Sequence, residues 1–567
     1  IAAAKQGDTN IFNVLIDKAN INYNHKNKDG DTALIAAARE SNTEICNVLM
    51  NQPEIDYNHS NESAGTALTI ATQQGNNDIV KFLLDKTDID YNHKNENGNT
   101  ALRIAVKNGD REMMKILLDE KAQSVCADVY DLQVTLEWAV EQECLDIVKS
   151  LLKHKTLNVN SQVYRGRYTL LMWASEKGHE DIVDLLLEKD TQVDVNLQAC
   201  DGKTAVQCAL ENKQESITEK LVLFQDLDIN AEVYSDYNVN QSDAKLASDL
   251  TILQLAAKNG STEIIDLLLT RLDVIFLNAD AKNTKGSTAL IMATERGNTE
   301  FVQKLLENFQ NIDVNILNDS KESALSLAIK NEETEIIELL LTYASTDINT
   351  TVTENYTPLI LAVKKGMVDL IKRLLQFDTI DVNAQTDCGK SALIWACETC
   401  NTELFTLLIK HERIDVNLRD ANEDSALINL VKKGNLEHMK LLLECRNAEI
   451  NMQDKSGDTA LVYALEKDYA DIVEELLSHP EIDVNLNGRA PPLVWAIIKD
   501  KKDVFQKLLQ NPSIDVNATD KYCYEGQTAL MWTYDAELVN MLLKHDRIDV
   551  NAKLCSKTHH SGYTALM

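Results

Sequence analysis

The strongest constraint on this chain is a period: one motif returns every 34 or 35 residues along most of its 567 residues. The stretch TALIAAARESNTEICNVLM at Thr32 recurs as TALTIATQQGNNDIVKFLL at Thr66, TALRIAVKNGDREMMKILL at Thr100 and TALIMATERGNTEFVQKLL at Thr288. With the Leu of Thr-Ala-Leu as phase mark, sixteen anchors run from Leu34, Leu68 and Leu102 to Leu493, Leu530 and Leu566, with Val206 standing in once. A period of this size means stacked supersecondary units, not the several globular domains that such a length otherwise suggests. Each unit then buries its apolar face only against its neighbours, and no central core exists.

Within a unit the chemistry divides into four parts. The anchor and an Ala three residues on, present in 13 of 15 complete units, mark a short first helix that neighbours approach closely. A Gly often follows at the helix end, as at Gly75, Gly109 and Gly366, where a left-handed residue is easy for Gly. A second helix opens with an acid and carries apolar residues at helical spacing, such as Ile182, Val183 and Leu186. The unit closes on an extended Ile-Asp-Val-Asn-like element, at Ile380, Ile414, Ile482, Ile514 and Ile548, and on Asn, Asp and Gly turn chemistry.

This order of helix, turn, helix and finger resembles the ankyrin repeat over the whole chain. The resemblance implies an all-α repeat solenoid: stacked helix-turn-helix pairs with short β-hairpin fingers, and a surface lined by first helices and fingers that is concave. We expect a single array over residues 1–567 of about sixteen units, cut within a repeat at both ends, so that the protein continues in both directions. The chain departs from the family's Thr-Pro-Leu-His signature. Pro follows the Thr only at Pro358, and residues such as Ile35, Arg103, Met172 and Val462 replace the His, which leaves open what supplies that residue's hydrogen bonds.

Composition narrows the setting. A formal charge of −33 argues against nucleic-acid binding, which needs a surplus of Lys and Arg on one surface. No apolar run is long enough to span a membrane, so no direct membrane insertion is expected. Eleven cysteines at irregular spacings read as reduced thiols of a cytoplasmic protein, not as a secreted disulfide framework.

The pair Cys397 and Cys400 lacks a second ligand pair at zinc spacing. Cys397 falls in a core slot, one residue past the repeat Ala, and Cys400 at the position that ends the first helix. All five tryptophans, Trp138, Trp173, Trp395, Trp495 and Trp532, stand just before that Ala or its substitute, where Ile70 and Leu361 stand elsewhere; they read as packing. No cofactor and no metal are expected. The one set of zinc-type ligands, Cys523, Cys555, His559 and His560, belongs to two successive finger insertions, and solvated loops are the preferred reading for it.

Candidate partner-binding residues come from two places. The end of the first helix carries a stripe that leans basic towards the C-terminal half, with Lys364, Lys365, Lys432 and Lys433. The spacing between Val206 and Leu253 enlarges one finger over 231–249, which presents Tyr234 and Tyr237 among polar residues. Further on, Val274, Ile275, Phe276 and Leu277 are apolar for a finger; they either cover a neighbouring element, which we prefer, or meet a partner.

No phosphate-cradling loop, metalloprotease helix or nucleophile elbow is present, so the chain is not expected to be an enzyme. The expected function is a protein–protein interaction scaffold with one or more protein partners. The alternatives are a regulatory or tethering segment of a larger protein, such as a channel, kinase or ubiquitin-ligase adaptor, and a mechanical or cytoskeletal element.

Overall fold

The computed structural model describes residues 1–16, 18, 21–119, 128–154, 156–162, 168–188, 191–200, 202–231, 250–271, 273–309, 311–399, 401–486, 488–519, 526–553, 564 and 565. The chain divides into two compact units, Ile1–Thr284 and Lys285–Met567. Among the described residues the first holds eight helix pairs, from Ala2–Gln6 with Thr9–Ile16 to Ile252–Asn259 with Glu263–Leu269. The second holds eight more, from Ala289–Glu295 with Thr299–Asn308 to Ala529–Trp532 with Ala536–Leu543. The repeat solenoid expected from the period is therefore present.

In most repeats the Thr or Ser before the anchor caps the first helix. Thr32 accepts a hydrogen bond from the Ile35 amide at 3.3 Å, and Thr66, Thr100, Thr288 and Ser391 repeat the arrangement, each satisfying an amide with no partner in the first turn. The repeat Ala is fully buried at Ala37, Ala71 and Ala105, because a larger side chain there would push neighbouring first helices apart. Second helices bury one stripe, such as Ile79, Val80 and Leu83. Some of them are capped by an Asn or Asp two residues before the expected acid: Asn76, Asp110, Asn298 and Asn401 each accept from an amide three residues on.

The role of the missing His is divided among other residues. Gln254 accepts from the Thr251 amide at 2.9 Å and donates to the Ala281 carbonyl at 2.7 Å, joining its own turn to the next finger. Gln207 does the same for Thr204 and Leu250. Thr69 and Ser326 supply only the first half, through their hydroxyls.

The closing element holds the repeats together. In the first unit the Asn58 side chain donates to the Asp88 carbonyl at 2.6 Å and accepts from the Asp90 amide at 2.7 Å, both one repeat ahead. Asn24, Asn160, Asn196 and Asn230 repeat this pair of bonds. In the second unit Asn315, Asn349, Asn383, Asn417, Asn451, Asn485 and Asn517 donate to the next repeat in the same way. The Asp two residues earlier caps the Asn amide, as Asp56 does for Asn58 at 3.1 Å.

The fingers are hairpins of the shortest kind. Among the described residues their β character is four isolated bridges, all in the second unit, such as Gln385 with Ser391 and Gln453 with Thr459. Several fingers turn on a side-chain acceptor: Asn27 accepts from the amides of Asp29 and Asp31 at 2.9 and 2.8 Å, as Asn61, Asn95, Asp420 and Asp454 do in their fingers. Successive fingers are joined by one backbone bond, Glu62 to Asp29 in the first unit and Ala421 to Cys388 in the second. His59 and His93 bridge to the finger before them at Gly30 and Ala64, at 3.0 and 2.9 Å.

Where the first helix ends without Gly, the left-handed conformation is kept: Ser41, Glu143, Lys213 and Glu332 have φ between 54° and 62°. For a residue with a Cβ this costs about 1–2 kcal/mol. We expect Lys213→Gly to stabilise the first unit by about 0.5–1 kcal/mol, the gain being reduced by the greater freedom of Gly when unfolded; a lower urea midpoint would contradict it.

Arg271 is the buried cation of the first unit, 9% exposed. Its guanidinium donates to the carbonyls of Val222, Phe224, Gln225 and Leu227, closing the end of helix Glu215–Leu223, and pairs with Asp273 at 2.8 Å. Removing it strands those carbonyls, so Arg271→Met should cost about 2–4 kcal/mol. Arg271→Lys should recover little, because an ammonium lacks the planar fork. Hydrogen exchange at residues 222–227 is the readout.

Candidate functional site

In seven repeats two side chains brace the finger against its first helix: the residue before the helix cap and the residue eight positions on. In the first unit the struts are Asp31 with Arg39, Asn99 with Lys107 and Lys203 with Glu211, at 2.8 to 2.9 Å. In the second they are Glu322 with Lys330, Tyr356 with Lys364, Lys390 with Glu398 and Asp424 with Lys432, at 2.6 to 3.2 Å. The two ends exchange sign freely between repeats, because only their complementarity matters.

One repeat breaks that rule and repairs it from next door. Asp458 and Glu466 occupy the two strut positions with like charges. Arg489, from the following finger, binds Asp458 and Glu466 at 2.5 Å each. That finger is two residues short, since Leu461 and Leu493 stand 32 apart. Gly488 consequently lies so close to Gly457 and Asp458 that a Cβ would collide with their backbone.

Aromatic side chains stand between these struts. In the second unit Trp395 has the Lys364 and Lys390 ammonium groups 5.0 and 4.7 Å from its ring centre, and the Tyr356 ring at 6.0 Å. Tyr463 has Lys432 at 4.2 Å and Arg489 at 5.8 Å, and its hydroxyl donates to Asp454 at 2.6 Å. Burial, then that carboxylate, push the Tyr463 phenol above its ordinary range. Trp495 lies 5.6 Å from Arg489 and 6.0 Å from Lys499. In the first unit Trp138 and Trp173 meet Arg111 and Lys177 at 5.9 and 5.6 Å. All these rings are half-buried. The position read as packing is thus also part of a surface, where a cation over a ring contributes about 0.5–1 kcal/mol. A cleft of about 410 Å³ opens beside Tyr463, lined by Lys432, Ser456, Glu466, Lys467 and Arg489.

The four candidate lysines fall on this face but differ in their engagements. Lys364 lies over Tyr356 and Trp395, Lys365 pairs with Glu332 at 3.0 Å, and Lys432 is held by Asp424 at 2.6 Å. Lys433 is exposed with no ion pair among the described residues. Tyr234 and Tyr237 lie outside the described residues, as do Cys400, Cys523, Cys555, His559 and His560. Among the described residues no group of three or more His, Cys, Asp and Glu is placed to hold a metal. Phe276, expected to cover a neighbour, is 72% exposed, and it is its carbonyl that Asn230 uses. The sequence reading missed Arg489 and the buried Asp458; the short spacing before Leu493 was the available signal.

The cysteines sort by burial. Cys46 and Cys397 are buried, and burial pushes the Cys46 thiol up to about 12 and the Cys397 thiol up likewise; Cys397 also donates to the Leu393 carbonyl at 3.2 Å. Cys388 is exposed on a finger. At pH 8 roughly one Cys46 thiol in ten thousand is ionised in the folded chain. Iodoacetamide should therefore alkylate Cys388 first and reach Cys46 and Cys397 only with denaturant; equal labelling rates by mass spectrometry would refute the assignment.

Comparison with known proteins agrees with this anatomy. The family described as "Ankyrin repeats (3 copies)" matches the sequence in eleven overlapping stretches, from 1–95 through 233–318 to 427–520. A solved structure titled "Crystal Structure of EF0377 an Ankyrin Repeat Protein" is 28% identical, over 34% of this chain and 96% of that one, with a TM-score of 0.32. No curated protein gives a significant match. Among the described residues no helix is long and apolar enough to cross a membrane. Ankyrin repeats are generally protein–protein interaction modules, typically without catalysis. With matched stretches reaching from residue 1 to residue 520, the chain belongs to the ankyrin repeat family.

Proposed function

We propose that the chain is a non-catalytic, intracellular protein-interaction scaffold whose working surface is the face made by first helices and fingers. The observation that carries this reading is the way that face is prepared. Aromatic side chains stand at one register position in several repeats and are flanked by in-chain cations before any ligand arrives: Trp395 between Lys364 and Lys390, Tyr463 between Lys432 and Arg489. Aromatic and Arg anchors of this kind are what protein interfaces are enriched in, and pre-ordering lowers the entropy cost of binding.

Partners are expected to be proteins and not nucleic acid, given the formal charge of −33. The outer face of second helices supports binding less well. Its charges are spent on exposed pairs between neighbouring repeats, such as Lys372 with Glu403 and Lys440 with Glu475 at 2.6 and 3.0 Å, each worth about 0–1 kcal/mol.

Lysine footprinting tests the reading. With the full chain bound to partners from its own cell, Lys364, Lys365, Lys433 and Lys467 should be protected from acetylation about fivefold or more, and the second-helix lysines Lys410 and Lys440 should not. Protection confined to the second helices would overturn the proposal.

A further inference from the structure

Four lysines on the helix-and-finger face of the second unit lack an acidic partner. Lys364, Lys433, Lys467 and Lys499 have no carboxylate within ion-pair distance among the described residues, and the first three are exposed. The acids around the rings of this face are held: Glu398 by Lys390 at 2.6 Å, Asp424 and Asp454 by Lys432 at 2.6 and 3.8 Å, and Asp458 and Glu466 by Arg489 at 2.5 Å. Lys432 and Arg489 each hold two carboxylates and so leave two negative charges uncompensated against those four positive ones. The strip is therefore net positive in a chain whose formal charge is −33.

The spacing of the strip selects a shape of ligand. Lys433, Lys467 and Lys499 each stand four residues after Asn429, Tyr463 and Trp495, so each lies on the same side of its first helix as the residue in the aromatic register. Neighbouring helices pack roughly 8–10 Å apart, and an extended chain rises about 3.3 Å per residue, so one repeat corresponds to about three peptide residues. The lysines belong to the repeats anchored at Leu359, Leu427, Leu461 and Leu493, in steps of two, one and one. The repeat stepped over is that of Leu393, where Glu398 already neutralises Lys390 and Trp395 presents its ring.

We propose that this strip binds an extended acidic segment of a partner protein. Its carboxylates fall at the first, seventh, tenth and thirteenth residues, to meet Lys364, Lys433, Lys467 and Lys499. An uncharged side chain at the fourth rests on Trp395, and others rest on Tyr463 and Trp495. The proposal rests on the reading of this face as the working surface and adds the chemistry of what lies there.

The test uses the full chain and fluorescein-labelled peptides of about fifteen residues: one with glutamates in that order, its reversed-order counterpart, one with the same glutamates clustered at one end, and one with lysines in their place. Anisotropy is read at about 50 mM salt, where exposed charges are weakly screened. One of the two spaced peptides should bind at least about fivefold more tightly than the clustered one, and the lysine peptide should not bind. The double variant Lys433→Glu, Lys467→Glu changes only exposed side chains and should keep its circular dichroism while losing about tenfold or more in affinity. Equal binding of clustered and spaced peptides, binding of the lysine peptide, tighter binding of an oligouridylate, or an unaffected double variant would overturn the proposal. If no acidic peptide binds and yet cellular partners protect these lysines, the acidic-ligand inference fails and the surface reading stands; if neither occurs, both fail.

Discussion

The constraint on which the rest of this protein depends is the paired hydrogen bond from one finger-base asparagine to the backbone of the next repeat. A solenoid unit of about 34 residues cannot bury enough apolar surface to fold alone, so contacts between units carry its stability. Apolar packing supplies most of that energy but tolerates sliding and tilting. The Asn amide does not: it donates to one carbonyl and accepts from one amide two residues further along, and a shift of either repeat breaks both bonds. Register is thus set by a small polar group, with the Asp of the same element holding the asparagine's own backbone in place.

That fixed register explains how the chain absorbs irregularities. Asn230 reaches the Phe276 carbonyl and the Asn278 amide, 46 and 48 residues ahead. The longer spacing along this part of the sequence therefore leaves the bond between its flanking repeats in place. The short repeat before Leu493 shows the opposite case. Two residues fewer draw Gly488 and Arg489 onto the preceding finger, and the arginine then serves as a strut for two acids that would otherwise repel. The deletion is accommodated in the finger, since its turn is the one part of the unit not committed to helix packing.

The struts give the helix-and-finger face its electrical character. A cation and an anion eight residues apart hold the finger to its helix, and in the second unit they also flank the rings of Trp395, Tyr463 and Trp495. Most charges on this face are consequently satisfied inside the chain, and the residual field comes from the few lysines left over. Binding specificity in such a surface is a matter of which charges remain, not of how many are present.

The sequence alone determined the repeat, the helix pairs and the buried slots, including that of Cys397, because these follow from local chemistry repeated at a constant interval: Ala where helices touch, apolar residues at helical spacing. It also marked where the period fails. It could not determine that Gln254 and Gln207 take over the missing histidine, that Asn417 reaches Asn447 and Glu449, that Lys432 is occupied by Asp424 while Lys433 is not, or that Arg489 serves two acids of another repeat. Those outcomes were decided by tertiary structure, for a physical reason: a polar or charged side chain has several possible partners within a few ångströms, and only the stacking of one repeat on the next places one of them within hydrogen-bonding distance.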